Sequence, residues 1–251
     1  MESLKDRVFA YEAVSDFKLT GKLPIVISLN GRSFRKTTSL SIKPYDPLFA
    51  KTMGQTLIKL ASDIEGSVFL YAFNDEIVIV CRNDRQVGCW YDNYIQPIIS
   101  ASASIASISF LTAAQNNGLK LLGDPVFLGK VFIIPSFTEV VNYLIAKQNI
   151  ASNTAISMAC FYELLKKYDP DKVSEILQNL TIDEKYTLLQ NECNVKINNY
   201  PLSFWRGFAC YRVPKRIKSE YGDEVRYKLI IDDELPFFSK EQDFLANIIK
   251  R

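Results

Sequence analysis

The stretch that most constrains this chain is Pro24–Leu29 (PIVISL), a short, β-branched and nearly continuous apolar run. Such a run reads as a buried strand. It ends at Asn30-Gly31, a dipeptide that signals a turn. Before it, Leu4, Val8, Tyr11 and Val14 recur near helical spacing, which predicts an amphipathic helix over Ser3–Phe17. After it, Asp46–Ala61 reads as a helix with Asp46 as N-cap and Pro47 at the first helical position. Val68–Tyr71 and Ile77–Cys81 are β-rich runs, and Phe73-Asn74-Asp75-Glu76 lies at or beside a hairpin turn between them. Asn93–Leu111 is helical by length and by its Ala, Ile and Ser content. The small residues of Ser100–Ser107 let that helix pack closely. Val131–Ile134 is another buried strand. Strand, helix, strand, strand, helix, strand is the split β-α-β order of ferredoxin-like sheets, so the expected class is α+β.

The remainder reads as mostly helical, then β. Ser136 with Glu139 forms a capping box for a helix to Gln148. Further helices are expected from about Ala151 to Lys166, from Asp169-Pro170 to Leu180, and from Thr181, boxed with Glu184, to about Glu192. Phe208–Arg212 and Val225–Ile231 pair as a hairpin around Lys215–Asp223, and Ser239 with Gln242 caps a last helix. No internal repeat or low-complexity segment interrupts this order.

Composition narrows the chemistry. The 251 residues suit one large domain or two small ones. The formal net charge of +2 neither demands nor forbids a nucleic-acid partner. There is no histidine, which excludes a Ser-His-Asp triad, a Cys-His pair, a histidine general base and a histidine-ligated zinc. The five cysteines (Cys81, Cys89, Cys160, Cys193, Cys210) include no C-x-x-C pair, and five is odd. With no secretory signal and no run of about 18 apolar residues, they read as reduced thiols of a cytoplasmic chain with no membrane partner. Carboxylates with a hard metal ion, or a lysine, remain for catalysis.

Two turns would follow strands adjacent in the expected sheet, one carrying Asn30-Gly31-Arg32 and the other Asn74-Asp75-Glu76. Their convergence would bring acidic oxygens to a backbone carbonyl at a glycine. Mg²⁺ takes such hard oxygen ligands and leaves the rest of its shell to water and phosphates. Alone this signal is weak, because an Asn-Gly turn and an Asp-Glu pair at a hairpin are commonplace turn chemistry.

Motifs along nearly the whole chain resemble those of the tRNA-His guanylyltransferase family, especially its bacterial and archaeal guanylyltransferase-like branch. A D-G-R-x-F motif appears as Asn30-Gly31-Arg32-Ser33-Phe34, and a K-P-x-D segment as Lys43-Pro44-Tyr45-Asp46. The S-D-E hairpin is Asn74-Asp75-Glu76, and a strand ends in Ile134-Pro135-Ser136. A W-R-Q-x-D-x-x-x-N segment maps onto Ile145–Asn153, and an R-G or K-G before a late strand is Arg206-Gly207. The resemblance implies a polymerase- and cyclase-like palm over 1–135, with helices on one face of its sheet. Residues 136–251 would be a helical and β-hairpin region packed with it. It also implies addition of nucleotides to tRNA 5′ ends in the 3′-to-5′ direction, with GTP or ATP, two Mg²⁺ sites, tRNA or a tRNA-like RNA, and a homotetramer. By the same resemblance Asp75 is a metal-binding aspartate, the Gly31 carbonyl also reaches metal, and Glu76 is catalytic beside them. Arg32, Ser33, Phe34, Lys43, Asp46 and Asn74 fall around a nucleotide. Gln148, Asn153 and Arg206 fall in segments associated with RNA or the incoming nucleotide.

The departures from the family pattern cluster in its motifs. The first metal-binding aspartate is Asn30, the arginine two residues before it is Ser28, and the serine of S-D-E is Asn74. The W-R pair is Ile145-Ala146 and the following aspartate is Asn149. Several of these remove charge that would hold metal or triphosphate, and electrostatic positioning supplies nearly all the catalysis in phosphoryl transfer. An impaired paralogue that binds nucleotide or tRNA, or partners an active relative, is therefore the competing expectation. A palm that makes a signalling nucleotide is a third. Lys215, Arg216 and Lys218 form a basic cluster, of the kind that is usually a solvated hairpin and that would alternatively suit RNA phosphates.

Overall fold

The structure is a computed structural model. It describes residues 3–83, 90–219 and 222–250, with the backbone alone at 216–219 and 222–224. Cys89 and the side chains of Arg216 and Lys218 lie outside what is described.

In chain order the elements are α1 (Leu4–Glu12), β1 (Ile25–Arg32), α2 (Phe34–Thr37), α3 (Pro47–Asp63), β2 (Ser67–Phe73), β3 (Glu76–Cys81), α4 (Ile95–Asn117) and β4 (Val126–Ile133). There follow α5 (Phe137–Leu164), α6 (Pro170–Leu177), α7 (Ile182–Asn191), α8 (Leu202–Arg206), β5 (Phe208–Ser219), β6 (Gly222–Asp232) and α9 (Gln242–Ile249). The strands form one antiparallel sheet in the order β4-β1-β3-β2-β5-β6. Its first four strands keep the expected split order, and β5 and β6 extend it beyond β2.

Strand alternation separates two cores. Ile25, Ile27, Leu29, Ile77 and Ile79 face α3 and α4, where Leu57, Leu60, Ile98 and Phe110 complete one apolar cluster. Val26, Val78 and Val80 face the other way, against Val140 and Leu144 of α5 and Leu245 and Ile249 of α9. Helices therefore cover both faces of the sheet, not one as expected. A third cluster, from Ala155 to Trp205, joins the C-terminal half of α5 to α6, α7 and α8. α4 is by length and composition apolar enough to cross a membrane. Here its Ile98, Ala106 and Phe110 are buried in the α3/α4 core.

Local signals explain most boundaries. Asp46 caps α3, its Oδ1 accepting from the Leu48 and Phe49 N–H groups at 2.8 and 3.4 Å, ahead of Pro47. Thr181 and Glu184 form the reciprocal capping box of α7. The β2–β3 turn is two residues long, with Asn74 at φ 46° and Phe73 paired to Glu76.

Four expectations are corrected. Asn30-Gly31 is not a turn: β1 continues to Arg32, with Asn30 opposite Leu128 and Gly31 opposite Phe127. The chain turns one residue later, at Ser33, φ 57°. Gly31 is required for a different reason, because a Cβ there would lie 2.3 Å from the Phe34 ring. The two helices expected on either side of residue 150 are one, α5, since no glycine or proline interrupts 137–164. Ser239 does not cap α9, whose N-cap is Glu241 without a side-chain bond. α1 is capped by Ser3, yet buries none of its residues; Leu4, Val8, Phe9 and Tyr11 are all exposed.

The late hairpin is longer than predicted. β5 pairs with β2 only from Phe208 to Tyr211, but with β6 from Ala209 to Ser219. Lys215 therefore lies within a strand, opposite Arg226, and not in a turn. Arg212 fastens the base of this ribbon to the body, donating to the Ser67 and Ala61 carbonyls at 2.7 Å each.

Candidate functional site

A cavity of about 550 Å³ opens at the β2–β3 turn. Its walls are the 41–46 segment before α3, the Asn74-Asp75 turn, the 154–162 stretch of α5, and Phe204 and Phe208. One end is polar, with Asp75 and Lys43; elsewhere Phe49, Met158 and Phe161 make the lining apolar. Tyr45 Oη and Ser203 Oγ, 3.3 Å apart, join the wall preceding α3 to α8. A largely apolar cleft with a few polar and charged groups is the usual form of a small-ligand site.

The charges there are tuned by burial. Burial pushes the Asp75 carboxyl above its ordinary range; neighbouring Glu76 adds to this, while Lys43 opposes it. Burial likewise lowers the Lys43 ammonium, against the pull of Asp46 and Asp75. The Gly31 N–H donates to the Asp75 carbonyl at 2.9 Å, so the glycine of β1 and the acidic turn are joined directly. Both segments named by the sequence thus meet, although one is a strand.

The structure sorts the remaining sequence candidates. Phe34, Lys43, Asp46, Asn74 and Asp75 line the cavity. Phe34 is also core, 3 % exposed, with its ring centroid 5.2 Å from that of Phe110 and 4.9 Å from that of Phe127. Asp46 is engaged at both oxygens, since Oδ2 accepts from the Ile42 N–H at 3.0 Å while Oδ1 caps α3. Arg32 and Ser33 are exposed and lie outside the cavity lining. Asn30 and Glu76 sit opposite each other on β1 and β3. Asn30 Nδ2 reaches Ser28 Oγ at 3.5 Å, and Glu76 is bonded to Lys147 of α5.

Gln148 is corrected from an RNA contact to a packing residue. It is 2 % exposed, and its amide donates to the Arg206 and Pro236 carbonyls and accepts from the Phe238 N–H at 2.8 Å. Arg206 is likewise built into the fold. Its guanidinium lies over the Trp205 and Phe237 rings, at 4.5 and 4.3 Å, and Nη1 donates to the Leu235 carbonyl. Asn153 is exposed in the middle of α5 and caps nothing. Sequence reasoning missed Lys147 and the cavity face of α5. That face was legible, because Thr154, Ser157, Met158 and Phe161 fall at i, i+3, i+4 and i+7.

For a metal ion, no group of three or more acidic, cysteine or histidine residues is assembled among the described residues. The candidate donors are oxygens: the Asp75 carboxylate, with Gly31 joined to the Asp75 carbonyl and Asn30 paired with Glu76 on the neighbouring strand. That suits a single Mg²⁺ completed by water and phosphate oxygens, since Mg²⁺ needs only one or two protein carboxylates.

Comparison with solved structures identifies the architecture. The structure of a bacterial tRNA(His) guanylyltransferase-like protein in complex with ATP matches with a TM-score of 0.83 at 27 % identity, covering 98 % of this chain and 99 % of that one. A second bacterial guanylyltransferase-like protein, in complex with GTP, matches at 0.76 and 24 % identity, over 99 % of each chain. The Saccharomyces cerevisiae tRNA(His) guanylyltransferase matches at 0.72 and 16 %, over 88 % of this chain and 96 % of that one. The last two, at such identities, show the shared fold. The class is therefore a mixed helix and antiparallel-sheet protein of the guanylyltransferase-like kind.

The chain belongs to the tRNAHis guanylyltransferase family, whose model matches residues 5–135. A Bos taurus protein named "Probable tRNA(His) guanylyltransferase" is 26 % identical over 209 residues, spanning 78 % of this chain and 68 % of that protein. The family's members are nucleotidyltransferases.

Proposed function

We propose that this chain is a nucleotidyltransferase that adds nucleotides to the 5′ end of tRNA or a tRNA-like RNA, in the 3′-to-5′ direction. The observation that carries the reading is the cavity with Asp75 and Lys43 at one end, in a chain whose 27 %-identical solved relative was captured with ATP. Residues 1–135 form the palm-like region that does the chemistry, and 136–251 the region that completes the pocket. GTP or ATP occupies the cavity, its base along Phe49, Met158 and Phe161. Lys43 meets its phosphates as a point charge.

Asp75, with Asn30 and the Gly31 carbonyl, would hold Mg²⁺, which would supply charge for phosphate oxygens and lower the pKa of an attacking hydroxyl. The chain's own residues position the reactants. Asp75 is fixed by the two-residue turn and its carbonyl's bond to Gly31, and the Tyr45–Ser203 pair links the cavity walls. RNA contacts fall to Asn153, Arg32 and the Lys215 ribbon. The protein acts as a homotetramer, a reading supported by the uncovered apolar residues of α1.

The test is incubation with Mg²⁺, labelled NTPs and 5′-truncated tRNAs bearing mono- or triphosphate ends. Addition by the wild type is expected, and its loss below detection in Asp75→Ala. Addition that persists unchanged in Asp75→Ala refutes the site.

One observation favours a second reading. Asn30 presents a neutral amide where family members carry a metal-binding aspartate, so an impaired paralogue retaining nucleotide or tRNA binding is the alternative. That reading expects silence from the wild type and activity from Asn30→Asp.

A further inference from the structure

Lys147 is the one lysine of α5 seated on the acidic turn. Its ammonium bonds Glu76 Oε1, and the two side chains are only 18 % and 16 % exposed. The Tyr143 ring, one helical turn earlier, lies 5.5 Å from the same ammonium. Lys147 cannot swing away with its helix, because the adjacent Gln148 ties α5 to the 206 and 236–238 backbone through three hydrogen bonds. A half-buried carboxylate with a fixed ammonium on it is a settled pair, since removing either partner would leave a desolvated charge.

The surroundings make this pair consequential. Directly opposite Glu76 on β1 stands Asn30, which brings no charge. Lys147 pairs with Glu76, and Lys43 is shared between Asp46 and Asp75, so of the two acidic residues at the turn only Asp75 lacks an ammonium of its own. A divalent ion placed on Glu76 would have to displace Lys147 or face it at close range, with only an amide in return.

We propose that Lys147 removes Glu76 from divalent-ion binding and supplies a fixed positive charge in place of one ion, so that this chain holds a single divalent ion, on Asp75, where the family resemblance implies two. This rests on the metal reading given under Proposed function. Lys147 is a positioning residue: it acts through Glu76.

The test is Mn²⁺ binding to the full chain, counted by electron paramagnetic resonance of free Mn²⁺ and by calorimetry. One ion is expected on the wild type, and none on Asp75→Ala. Glu76→Gln, which keeps Lys147, is expected to leave the count at one and the affinity within about two-fold. Lys147→Met is expected to bind a second ion at least ten-fold more tightly than the wild type does, and Lys147→Arg to bind one. Two ions of comparable affinity on the wild type overturn the proposal, as does a ten-fold weakening in Glu76→Gln, which also decides the matter should Lys147→Met fail to fold. Mn²⁺ binding unchanged in Asp75→Ala overturns instead the metal reading beneath it.

Discussion

The two faces of the sheet are made by the same strands, yet they end differently. Against α3 and α4 the run from Ile25 through Ile27 to Leu29 is apolar throughout, and Phe34, Phe110 and Phe127 close its end with packed rings. Against α5 the interleaved residues run Val26, Ser28, Asn30, opposite Val80, Val78 and Glu76 on β3. One face is therefore a core along its whole length, while the other becomes polar over its last two positions. The lesson is that charge enters this fold at one corner, where a strand end, a two-residue turn and α5 meet. It is held there by hydrogen bonds instead of by packing.

The largest expected effect falls on the apolar face. Phe110→Ala removes a fully buried ring from the Phe34–Phe127 cluster and should destabilise the chain by about 3–5 kcal/mol, read by chemical denaturation. Gln148→Ala tests the polar face. It strands the Phe238 N–H and two carbonyls, for a loss of about 1–3 kcal/mol. If it matched Phe110→Ala, the hydrogen-bonded face would be as structural as the packed one. The smallest effect has the opposite sign. Burial raises the folded-state pKa of Asp75, so ionising it opposes folding. That penalty is absent at pH below the unfolded carboxylate's value of about 4 and is complete once pH exceeds the raised folded value. Without metal, Asp75→Asn should therefore melt slightly higher than the wild type near pH 7, and the difference should vanish in acid. A lower melting temperature at pH 7 would mean that Asp75 helps to hold its turn.

Local signals carried far along the sequence. The Asp46-Pro47 cap, the Thr181/Glu184 box and the turn at Asn74-Asp75 are all where their chemistry places them. What failed was reasoning from a residue's usual role. Asn-Gly is a turn signal because glycine tolerates positive φ, but Gly31 is needed for its missing Cβ beneath Phe34, and the strand runs through it. Ser239-Gln242 looked like a cap and is not one, because nothing local decides between that start and Glu241. In the site, Asp75 and Lys43 were legible from their motifs. Lys147 was not, because its meeting with Glu76 depends on how α5 crosses the sheet, 71 positions along the chain. Gln148 and Arg206 carried motif positions, but the Gln148 amide and Arg206 Nη1 are bonded to backbone groups that only the folded chain brings to them.

The β5–β6 ribbon carries one more consequence. Beyond Tyr211 no third strand pairs with it among the described residues, and the six residues from Pro214 to Ser219 extend about 20 Å at roughly 3.3 Å per residue. Its base is gripped by Arg212 at the carbonyls of Ala61 in the last turn of α3 and Ser67 at the start of β2, so the ribbon is a cantilever with its fulcrum there. A small rotation there displaces the backbone at Ser219 and Gly222 much further than it displaces Arg212. Small-angle scattering would register this as a maximum dimension well beyond that of a sphere of equal mass, and Arg212→Ala should broaden the long-distance tail of the pair distribution while leaving the body's radius unchanged.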